Sequence, residues 1–138
     1  MSREHPLIRA LWMNAVFSGV SALCLFAAAR WLAAQLGLPD ATQVYVVAAF
    51  LTVFAIQLAV IVRSRKIRVL EVAGIIGGDL AWVVASIALV GLYYESITTT
   101  GLMLIDIVAI AVLIFAVLQI RGLRTYNQII EQRRGQEQ

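Results

Sequence analysis

The sequence predicts an all-α fold, an integral membrane four-helix bundle in which residues 1–138 form a single transmembrane domain. Three observations carry this prediction. Hydrophobic residues make up 62% of the chain and charged residues 14%, whereas soluble domains hold about 45–50% and about 25%. The apolar residues fall into four stretches, at roughly 9–30, 42–63, 70–93 and 99–121, each close to the roughly 20 residues that cross a hydrocarbon core. Lys and Arg gather at the ends of these stretches and form no basic face with interleaved aromatics, a pattern that sets membrane orientation and argues against nucleic acid.

The first stretch follows the polar head MSREHPLIR and is uncharged from Ala10 to Ala29. Its end at Ala27-Ala28-Ala29 also fits the cleavage pattern of a signal peptide, a reading set below that of a retained span. Beyond Arg30, WLAAQLGLPD stays helical until Gly37 and Pro39, a left-handed closing residue and one that cannot continue a helix. The first helix therefore either overshoots the bilayer or breaks into a short interfacial helix, with Arg30 and Trp31 at the interface. Asp40, Ala41 and Thr42 offer a cap to the second span. That span ends at the basic cluster Arg63, Arg65, Lys66 and Arg68, and Glu71 opens the third, where its charge suits the helix dipole and faces the basic loop. The third span reaches the aromatic pair Tyr93 and Tyr94, and a short polar turn leads into the fourth, which exits at Arg121 and Arg124. The tail, 122–138, is polar and extends the last helix a few turns into water.

Of the 11 Lys and Arg residues, all but Arg30 lie in the head, the central loop or the tail. The positive-inside rule then puts both termini and the central loop in the cytoplasm.

Helices in lipid associate through small residues and interhelical hydrogen bonds. On the third span Gly74, Gly78, Ala81, Ala85 and Ala88 form one stripe, expected to pack inside the bundle, with a homodimer seam as the sharper alternative. Asn14, Ser18 and Ser21 share a face of the first span that should point inward, and Gln57 on the second lies at a matching depth, within reach of Asn14. Asp79 stands about 15 Å along the third helix and Asp106 about 20 Å along the fourth, counted from the cytoplasmic side at about 1.5 Å per residue, so both carboxyls are expected near mid-membrane. Each should be neutral, paired or hydrated, because a bare carboxylate there costs about 2.5–3.5 kcal/mol or more. Trp82 and Ser86 follow Asp79 on roughly the same face, and the indole N–H is a candidate donor to the carboxyl. Arg30 would meet Asp106 only by pointing inward against its snorkelling preference.

His5 is the only histidine and Cys24 the only cysteine, so no intramembrane metal site, haem or disulfide is expected, and no cofactor. No nucleophile stands beside a base, and Gly77-Gly78 is mid-helix, not a phosphate loop; an enzyme acting on a lipid or quinone would have no residues to name. The segments NAVFSGVSAL, WLAAQLGLP, DLAWVVASIALV and AVLQIRGLR resemble small bacterial inner-membrane proteins with four helices. That resemblance covers most of the chain, implies the same four-span fold and brings no established activity. A membrane carboxylate on four spans is also similar to the small multidrug-resistance exporters, but these carry their proton-coupling glutamate in the first helix, where this chain has no acid. The expected function is therefore that of a non-catalytic membrane subunit, homo-oligomeric or accessory to another membrane protein. The alternative is a small proton-coupled transporter, or a binder of lipid or a small apolar ligand, built on Asp79 and Asp106.

Overall fold

Backbone amides in hydrocarbon must be satisfied within the segment that carries them, and each apolar run of this chain does so as an α-helix. The computed structural model describes residues 5–64 and 67–136; Arg3, Arg65 and Lys66 of the basic clusters lie outside them. The helices are α1 (Pro6–Ala27), α2 (Ala29–Gln35), α3 (Thr42–Arg63), α4 (Val69–Tyr93) and α5 (Thr99–Gln136). All except α2 are long and apolar enough to cross a membrane, so the architecture is consistent with a four-span helical membrane bundle.

The helix ends follow from local chemistry. Pro6 opens α1, where its missing N–H is not needed, and the Leu7 N–H donates to His5 Nδ1 at 3.2 Å. The first helix breaks at Ala28, whose backbone (φ −109°, ψ 17°) leaves helical geometry before α2 begins. Gly37 then closes α2 at φ 66°, with the Leu38 N–H returning to the Ala33 carbonyl at 2.9 Å and the Gly37 N–H to Ala34 at 3.3 Å. Asp40 Oδ1 accepts the Thr42 N–H at 2.7 Å at the start of α3. The side chain and amide of Thr42 hold the Asp40 carboxyl below the usual carboxylate range. Thr98 latches α2 to the start of α5, donating to the Gln35 carbonyl from its N–H at 3.0 Å and from its hydroxyl at 2.9 Å.

α1 is the central helix, packed along α3 on one side and α5 on the other, while α4 packs chiefly on α5. The main core lies toward the start of α1, where Leu7, Leu11, Leu58, Val72 and Ile75 cluster. α5 runs for 38 residues, well past Arg121. Leu123 and Tyr126 of this extension pack against the same cluster, so the first turns of α4 lie beside the extension.

The small-residue stripe faces the opposite way from the sequence expectation. Val72, Ile75, Ile76 and Asp79 form the buried face of α4, because branched side chains fill the space toward α1 and α5 that glycine would leave empty. Gly74, Gly78, Ala81, Ala85 and Ala88 are all exposed. A Cβ built on Gly74 or Gly77 would find nothing within 4 Å, and one on Gly78 would meet Phe54 at 3.5 Å. No residue of α4 beyond Asp79 is buried. Its outer half therefore leaves a crevice on the side of α3.

Candidate functional site

Asp79 is only 3% exposed, and its Oδ2 accepts two amide donors from two other helices. Asn14 Nδ2 of α1 reaches it at 2.7 Å and Gln119 Nε2 of α5 at 3.0 Å. Ser18, one turn along α1, donates its hydroxyl to Asn14 Oδ1 at 3.2 Å, which turns the Asn14 amide nitrogen toward the carboxyl. Asn14, Ser18 and Gln119 are all buried. One carboxyl oxygen thus ties three helices together. Among the described residues, Oδ1 accepts no hydrogen bond.

Asn14 and Ser18 are where the helical spacing put them, facing inward. Gln119 was not singled out by the sequence, because an amide two residues before Arg121 reads as part of the polar exit. Its signal was its phase: Val112, Phe115, Ala116 and Gly122, at helical spacing around it, are also buried.

The remaining candidates do not converge on this cluster. Gln57 is exposed on α3 and makes no bond to Asn14, whose amide is taken by Asp79. Asp106 is exposed on α5 and lies roughly 20 Å along that helix from Gln119, at about 1.5 Å per residue. The two carboxyls therefore occupy different layers. Depth counted from the start of α4 misplaced Asp79, because those first turns run beside the extension of α5 beyond Arg121. Asp79 consequently lies at the level of Gln119, nearer the basic end than the middle. Arg30 is exposed in α2 and, among the described residues, has no ion pair with Asp106. Trp82 Nε1 is buried but has no partner, so it does not donate to Asp79, and Ser86 donates to the Trp82 carbonyl at 2.9 Å.

Asp79, Trp82, Ser18, Ser21 and Phe54 line the crevice between α3 and α4, a space of about 50 Å³. It has room for a few waters at about 10–15 Å³ each, and not for a drug-sized ligand, whose pockets measure about 300–1,000 Å³. The site can bind helices to one another and can hold a proton at a carboxyl beside a small, mostly apolar space. No group of three or more potential metal ligands occurs among the described residues.

Fold and site together define a small helical membrane protein whose polar interior is a clasp between helices. Compared with protein-family models, curated proteins and solved structures, the chain matches none.

Proposed function

We propose that this chain is a non-catalytic membrane subunit, with both termini in the cytoplasm, that assembles with a second copy of itself through the outward face of α4. The observation that carries this reading is the bare stripe itself. Gly74, Gly77, Ala81, Ala85, Ala88 and Gly91 are exposed on one side of α4, and a Cβ on Gly74, Gly77 or Gly91 would meet nothing within 4 Å. In lipid there is no water to drive helices together, so close backbone approach is the main source of association, and side chains this small permit it. The clasp at Asp79 supports the reading from the other side, because it fixes the rotation of α4 and keeps the stripe outward.

Mass measurement in native-lipid particles tests this. Wild-type protein should appear as a dimer or larger, and Gly77→Leu, whose Cβ meets no neighbour within the monomer, should shift it to a monomer that keeps its helical circular dichroism. A wild-type monomer with no companion protein would overturn the proposal.

One observation favours a second reading, a proton-coupled transporter. Trp82, whose indole N–H has no partner, lines the crevice beside Asp79 together with Ser18 and Ser21. On that reading, Asp79→Asn abolishes substrate-dependent proton movement in liposomes while the protein stays folded. Unchanged proton movement would leave the carboxyl a purely structural role.

A further inference from the structure

A groove of about 310 Å³ runs between α1 and α5 and shares no lining residue with the crevice at Asp79. Arg9 of α1 and Arg121 of α5 both line it, and both are exposed. Among the described residues neither is in an ion pair. Met13, one turn further along α1, and Leu118, one turn back along α5, line the same groove. Because the two helices run in opposite directions, both steps lead the same way, toward the apolar middle of the bundle. The groove is therefore graded along its length, with two guanidinium groups at the edge of the apolar spans and an aliphatic floor deeper in. Gly122 brings the helices close beside it, since a Cβ there would lie 2.7 Å from Leu7 Cα, so the groove is held to one width at that point.

We infer that this groove binds the headgroup phosphate of an anionic phospholipid, with the first carbons of an acyl chain against Met13 and Leu118. The charge pattern selects the ligand. Two guanidinium groups without acidic partners match a phosphate oxygen fork, and basic pockets between membrane helices are suited to acidic headgroups. The aliphatic floor one turn deeper suits a phosphate attached to a chain and gives a free phosphate nothing to contact. This inference is independent of the assembly through α4, because the groove uses neither α4 nor its outward face.

The test is native mass spectrometry of protein titrated with phosphatidylglycerol or with phosphatidylcholine of the same chains. Wild-type protein should retain one phosphatidylglycerol in preference to phosphatidylcholine. R9Q/R121Q should weaken that binding about 30-fold, on the scale of roughly 1 kcal/mol per basic residue, while R30Q in α2, beyond the far end of α1, leaves it unchanged. If the double variant loses its helical circular dichroism, a photoactivatable phosphatidylglycerol on wild-type protein decides: crosslinks at Met13 or Leu118 support the site, and crosslinks confined elsewhere overturn it. Equal retention of the two lipids, or equal weakening by R30Q, also overturns it. So does displacement by millimolar inorganic phosphate, which would mark a site for the free anion.

Discussion

Asp79→Ala is expected to destabilise the protein by about 2–4 kcal/mol, and Asp79→Asn by less than about 1 kcal/mol. The asymmetry follows from what the carboxyl does. Oδ2 accepts from Asn14 at 2.7 Å and from Gln119 at 3.0 Å. Alanine removes the only acceptor that brings these donors together, leaving two amides buried without partners, each at a cost of about 1–3 kcal/mol. Relaxation in lipid lowers the sum, because interhelical hydrogen bonds measured there average about 0.6 kcal/mol and reach about 1.7. Asparagine keeps an acceptor oxygen where Oδ2 stands and turns its NH₂ toward the crevice that Ser18 and Ser21 line. Denaturation in mixed micelles, followed by circular dichroism, reads both variants.

Double-mutant cycles sharpen the result. Asn14→Ala and Gln119→Ala each remove one donor to the same oxygen, so their effects combine non-additively with Asp79→Ala and nearly additively with a distant change such as Gln57→Ala. Should Asp79→Asn cost as much as Asp79→Ala, acceptor geometry does not explain the site, and a charge-specific role must.

The same arithmetic explains what could be read from the chain. The four long helices were legible because hydrocarbon forces each apolar run of this length to satisfy its own backbone. The third and fourth spans begin within one residue of the expected positions, and Gly37 closes α2 in the left-handed geometry its sequence implied. The break at Ala28 carried no glycine or proline and was legible only as a choice between overshoot and break. Facing was the least legible property. In water a helix declares its buried side by polarity, but in lipid both sides are apolar, and α4 shows how that misleads. Its glycines and alanines look like an inward packing stripe, yet Val72, Ile75 and Ile76 take the inward side. Asp79, Asn14 and Ser18 were legible as residues needing partners. Gln119 was hidden by its closeness to Arg121, and Asp79 was set at the wrong level relative to Asp106 because the length of α5 beyond Arg121 shifted the register between α4 and α5.

The second large effect is expected at Gly122, where α5 passes close to the α1 backbone. A Cβ there would lie 2.7 Å from Leu7 Cα, 2.8 Å from Leu7 N and 3.0 Å from Leu7 Cβ. Two of these are backbone atoms, so no rotamer change relieves the overlap and the helices must separate. Leu7 is fully buried in the core cluster with Leu11, Leu58 and Val72, so moving it opens that cluster as well. Overpacking of this kind costs about 1–3 kcal/mol, against a gain of up to about 1 kcal/mol from replacing glycine inside a helix. Gly122→Ala should therefore destabilise by about 1–2 kcal/mol and Gly122→Leu by more, with the larger change also widening the groove beside Arg9 and Arg121. Gly77→Ala in the micelle-dispersed monomer is the matched control, since within one chain a Cβ there meets nothing within 4 Å and only the helix preference remains. Its midpoint in the same micelle denaturation should equal or exceed that of the wild type. If Gly122→Ala behaved like Gly77→Ala, the close crossing of α1 and α5 would not exist, and the rigid width argued for the lipid groove would fail with it.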